Sequence, residues 1–169
     1  MPLGVTVAEV FAAANLTPCG PSPWGSAIDE TRPGVYVVSV ASDPNTCFGL
    51  FDTPDLPHDL IPKWVHEEPV VYIGRTRRPL RQRVRELYRH RYGRKSPHSG
   101  GQAALLLKPE LLVFWAATSD PVTAQRDMIE AFRRRTGALP FANRCRGSVP
   151  LIDGIASPPT TVHLEPTHV

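Results

Sequence analysis

The stretch Pro69 to Lys95, PVVYIGRTRRPLRQRVRELYRHRYGRK, constrains the chain more than any other. It opens as a buried strand: Val70, Val71, Tyr72 and Ile73 are β-branched, apolar or aromatic in succession, and Gly74 closes the run. A turn follows, and a helix begins at Pro79, a residue suited to a first helical turn because its missing N–H costs nothing there. Leu80, Val84, Leu87 and Tyr88 recur at helical spacing and define one apolar stripe. Arg81, Arg83, Arg85, Arg89 and Arg91 occupy the other faces, with Arg75, Arg77 and Arg78 in the turn before them. Gly93 is the expected stop.

Charge is distributed very unevenly. Residues 75 to 95 hold nine Arg and one Lys against a single acid, Glu86. The chain has 19 Lys plus Arg and 16 Asp plus Glu, so the rest is left with nine bases and 15 acids. A solvated face is the ordinary reading of a basic helix. Self-repulsion at this density costs stability, however, and a bound polyanion would relieve it. Arginine also grips phosphate in bidentate fashion. Nucleic acid is the first partner these residues point to.

With 169 residues, 41% of them hydrophobic, the chain suits one compact domain with an insertion and tails. No stretch approaches the ~20 apolar residues that span a membrane. The start shows no charged segment followed by an apolar run, so no secretory signal is expected. Cys19, Cys47 and Cys145 are odd in number and widely spaced, which argues for a reducing compartment, by default the cytoplasm, and against structural zinc.

In order, residues 6 to 15 read as a short helix, with Thr6 and Glu9 as a capping box. Residues 17 to 33 read as a Pro/Gly-rich connection, and 34 to 40 as a buried strand. Residues 42 to 68 are irregular, with a short helix around Leu60 to Val65. After the strand and basic helix come a polar loop carrying His98, a short apolar segment from 102 to 107, and a third strand from 111 to 117. Asp120-Pro121 then caps a helix running to about Arg135, stopped by Gly137. Residues 157 to 169 read as a loose tail. The expected fold is α/β or α+β: a small, mainly antiparallel three-stranded sheet flanked by helices. The expected divisions are an N-terminal region 1–33, a core domain 34–156 and the tail.

Gly34-Val35-Tyr36 on one strand, Tyr72-Ile73-Gly74 on the next and an arginine helix directly after resemble the GIY-YIG nuclease family. The third strand, the late helix and Pro140-x-x-Asn143 continue the resemblance, which covers roughly residues 34 to 143. Each motif alone is weak; in this order they are fairly specific. The resemblance implies a metal-dependent DNA endonuclease using Mg²⁺ or Mn²⁺. It makes Tyr36 the residue that positions or activates water, with Tyr72 in support, and Arg83 the contact to the scissile phosphate, with Arg81 and Arg85 as close competitors for that position. Asn143 would orient the site through its side-chain hydrogen bonds.

The residues can be weighed on their own chemistry. Phosphodiester hydrolysis needs a deprotonated water, stabilised phosphoryl oxygens and a managed leaving oxygen. A phenol titrates near pH 10 in water, so a tyrosine base needs cations to draw it down, and the arginine cluster supplies them. A strand tyrosine is otherwise most often a packed aromatic. Arg83, three residues after Leu80 and four before Leu87, borders the apolar stripe. Arg75, Arg77, Arg78, Arg81, Arg85, Arg89, His90 and Lys95 read as nucleic-acid contacts.

The metal position departs from the family. Its glutamate falls, in the best register, on Gln125, and a neutral amide is a poor ligand for Mg²⁺. Glu130 is the alternative and Asp127 a weaker one, although at 100° per residue positions 125 and 130 lie about 140° apart on a helix. Both acids also read as partners for Arg133 and Arg134. Either the chain is an inactive or weak form, or another acid serves.

Tyr36 and Tyr72 are also farther apart than in the family, making 42–68 an insertion. It is acidic, so it is not expected along phosphates; dimerisation, capping the core or screening the cleft are its open roles. The sequence thus reads as an endonuclease acting on duplex DNA. A nucleic-acid-binding protein that has lost catalysis is the alternative, and a purely structural domain with a solvated basic helix the third reading.

Overall fold

The computed structural model describes residues 4–50, 53–96, 100–107 and 111–144. His98, Asp52, Cys145 and the tail from 157 lie outside them. The architecture is α+β. In chain order come α1 (Val7–Ala12), β1 (Cys19–Pro23), β2 (Gly34–Ser39), β3 (Val70–Thr76), α2 (Leu80–Arg89), β4 (Leu112–Ala117) and α3 (Pro121–Thr136), with 3-10 turns at Ile61–Lys63 and Gln102–Leu107.

The strands form one sheet in the order β1-β4-β2-β3, every pair antiparallel. The sheet therefore has four strands rather than the expected three. The addition, β1, lies in the stretch read as a connection. Its sequence, Cys-Gly-Pro-Ser-Pro, has no strand propensity, and it pairs only because β4 would otherwise present an open edge.

Strand alternation sorts the core into two layers. Tyr36, Val38, Tyr72 and Val113 face Leu80, Val84 and Leu87 of α2. Val35, Val37, Ile73, Phe114 and Ala116 face Val7, Val10 and Phe11 of α1 and Ala124, Met128, Ile129 and Phe132 of α3. Every residue of β2 is buried, as a central strand covered on both faces requires.

Helix ends follow their chemistry. The Thr6–Glu9 capping box is formed, with both reciprocal hydrogen bonds present. Asp120 accepts from the Thr123 N–H, Pro121 follows it, and Gly137 ends α3 at φ +75°. α2 stops at Arg89, short of Gly93, because His90 turns extended and buries its ring.

The 42–68 insertion packs into the molecule: Leu56, Leu60 and Trp64 join the α2-side core, and its ends are tied by Val40 N–H to Pro69 O at 3.0 Å. Among the described residues, Cys19 and Cys47 are free thiols, and no helix is long and apolar enough to cross a membrane.

Candidate functional site

β2 and β3 bring Tyr36 and Tyr72 together on the α2 face, ring centroids 5.9 Å apart at 60°. Glycines make the room. A Cβ on Gly74, which pairs across from Tyr36, would collide with the Tyr36 ring and hydroxyl. A Cβ on Gly101 would stand 2.7 Å from Tyr72 Cε1 and Cζ. Gly74 thus does not close β3, which runs on to Thr76; it clears the space that Tyr36 fills.

The Tyr36 hydroxyl is hydrogen-bonded to Tyr72 and to the Arg83 guanidinium. The ring is 0% exposed. Burial first, and then the neighbouring Tyr72, push its pKa well above the ordinary phenol value, and Arg83 offsets this only in part. The expected lowering by the arginine cluster is thus reversed. Tyr36 is a neutral hydrogen-bonding group here, and Tyr72 is buried beside it at 6% exposure.

Arg83 is half-buried and reaches Glu86 Oε2 at 3.2 Å. Glu86 also takes Arg78 in bidentate fashion, at 2.8 and 2.7 Å. The Arg78 hydrogen bonds, and after them those of Arg83, hold the Glu86 carboxyl below its usual range despite partial burial. The one acid of the basic segment is therefore the group that holds Arg83 beside Tyr36. Sequence alone marked Glu86 only as an exception; its place three residues beyond Arg83 on one helix was the available signal.

Arg77, Arg78, Arg81, Arg85, Arg89, Arg91, Arg94 and Lys95 are exposed and form a continuous basic run over the turn, α2 and the loop beyond. Arg81 and Arg85 line a hollow of about 410 Å³ with Ile28, Asp29 and Tyr88. His90 departs from its expected role as a nucleic-acid contact. It is 3% exposed, and its Nε2 lies 3.3 Å from Gln102 Oε1, which also accepts the Gly93 N–H. Its ring fixes the loop after α2 instead of meeting a phosphate.

The remaining site residues gather around the β3 edge, Gln125 from the α3 side. Asn143 Oδ1 accepts the Ile73 N–H and its Nδ2 donates to Ile73 O, both at 2.9 Å. Ala142 N–H donates to Val71 O. Asn143 thus pairs an edge strand as a neighbouring strand would. Gln125, 8% exposed on α3, donates from Nε2 to Ile73 O at 3.0 Å and accepts Arg75 Nε at 2.7 Å. Arg75, expected to grip DNA, is half-buried and committed to this link. Tyr72 and Ile73 are consecutive, so β3 joins the tyrosine–arginine group on the α2 side to Gln125 on the α3 side, while Asn143 sits at the strand edge next to Phe141 and Ala142 of the α2-side core.

This geometry does not suit a hard cation at position 125. The Gln125 oxygen already receives a guanidinium, and its nitrogen side faces a carbonyl. Glu130, the alternative, has its carboxylate held by Arg133 at 2.9 and 3.0 Å and by Arg134 at 3.3 Å, with Arg133 the main cause of its lowered pKa. Asp127 pairs with Arg126 at 3.0 Å. Among the described residues no three His, Cys, Asp or Glu side chains converge as a metal cluster. Neither family models nor curated proteins nor solved structures give a match to this chain.

Proposed function

We propose that this chain is a DNA-binding domain with a GIY-YIG-like site, in which metal-dependent hydrolysis is lost. The arginine turn and α2 track the backbone of duplex DNA, and one phosphodiester rests near Tyr72 and Arg83. The observation that carries the reading is the double engagement of Gln125, to Ile73 O and to Arg75, at the position where the resemblance calls for a metal-binding carboxylate. Arg83 supplies fixed positive charge to a phosphoryl oxygen, oriented by Glu86 and Tyr36. Tyr36, neutral and buried, holds a hydrogen bond and does not remove a proton.

A second reading is favoured by a specific observation: Tyr36, Tyr72 and Arg83 form one hydrogen-bonded group. On that reading the chain is a Mg²⁺- or Mn²⁺-dependent endonuclease using another acid. Fluorescence anisotropy with duplex DNA in EDTA tests the first. Binding without metal, with affinity falling steeply in salt at a slope of about 0.9 per neutralised phosphate, is expected. Weak, salt-insensitive binding would leave only a solvated basic helix.

A further inference from the structure

A groove of about 810 Å³ runs beside the β3 edge, outside the tyrosine–arginine group. Three separate segments build it: residues 59–66 of the insertion, Tyr92 and Gln102 flanking the basic loop after α2, and the 138–144 segment whose Asn143 holds Ile73. We propose that this groove takes an unpaired nucleotide, so that the preferred DNA carries a flap, branch or unstacked base beside the duplex. The proposal deepens the DNA-binding reading and rests on it.

Size is the first argument. The volume falls within the ~300–1,000 Å³ typical of small-ligand sites, enough for a base with its sugar and too small for a double helix. Chemistry is the second. Tyr92 is 45% exposed on the groove, an unusual setting for a large aromatic ring, and exposed aromatics are what unstacked bases settle on. Trp64 provides a second aromatic wall, packed edge-on against Phe141 at 5.2 Å.

Charge complementarity is the third. Lys63 and Arg144, both exposed, line the groove against the single acid Asp59, and Arg91 and Arg94 flank Tyr92 in sequence. The insertion is acidic as a whole, yet it turns its one lysine towards the groove. A strand leaving the duplex gripped by α2 would meet this cationic, aromatic cleft at the helix's C-terminal end.

Three DNAs of one sequence test the proposal by fluorescence anisotropy with the full chain: a continuous duplex, the same duplex with a short unpaired arm, and the unpaired strand alone. The armed duplex is expected to bind about 5- to 150-fold tighter than the continuous one, the range that one stacked base contributes. Tyr92→Ala should erase that difference while leaving continuous-duplex affinity unchanged, and Tyr92→Phe should keep it. Equal affinity of the wild type for armed and continuous duplex would overturn the groove assignment and leave DNA binding standing. Equal weakening of both by Tyr92→Ala would do the same. No binding to any of the three at low salt would overturn the DNA-binding reading and this one together.

Discussion

Tyr36 shows how burial governs chemistry at single positions. Its folded pKa is raised above the unfolded value, so the stability it contributes is complete below about pH 10 and is lost as pH climbs further, because only the unfolded chain ionises readily. Tyr88, pushed up to about 12 by burial, adds to the same loss. Denaturant unfolding across alkaline pH should therefore show stability falling above about pH 10, and Tyr36→Phe should flatten that fall; an unchanged profile would remove Tyr36 as its source. Gly74→Ala drives a methyl into the Tyr36 ring and should cost about 1–3 kcal/mol or more by urea unfolding. Asn143→Ala leaves the Ile73 N–H without its partner, while Ile73 O keeps the Gln125 amide, and should cost about 1–3 kcal/mol. Of these, Tyr36 and Asn143 were visible in the sequence as motif members. Their physical work was not: a glycine reads as a break, and nothing in a one-dimensional pattern says whose ring it clears.

At the scale of elements, the strands at 34 and 70, the basic helix and α3 were legible because their apolar periodicity is strong and their ends carry Pro, Asp or Gly in telling places. β1 was not, since two prolines and a glycine in five residues hide a strand that exists only through its partner. The end of α2 was misplaced because His90 has a tertiary partner, Gln102, that local sequence does not reveal. The separation of the site into two faces was equally hidden, as it depends on which way β3 alternates. Glu86 now acquires a role that its isolation among ten bases only hinted at. Glu86→Gln should release Arg78 and Arg83, raising duplex affinity at low salt and steepening the salt dependence by about one phosphate contact or more. An unchanged slope would mean that these arginines do not meet DNA.

For the whole molecule, the organising fact is a division of charge and of faces. An acidic body carries one strongly basic turn and helix. The central sheet sets the tyrosines against α2, which carries Arg83, on one side and faces α3, which carries Gln125, on the other, with β3 common to both. The Gln125 amide fits its surroundings as they stand: one end donates to a carbonyl and the other accepts a guanidinium. A glutamate there would keep the Arg75 partner, lose the donation to Ile73 and offer a carboxylate to a cation. Nicking of supercoiled plasmid in Mg²⁺ or Mn²⁺, comparing the chain with its Gln125→Glu variant and checking by circular dichroism that both are folded, tests this most directly. DNA binding by both proteins, no nicking by the chain itself and metal-dependent nicking by Gln125→Glu are expected. Nicking by the unaltered chain that EDTA abolishes would contradict it.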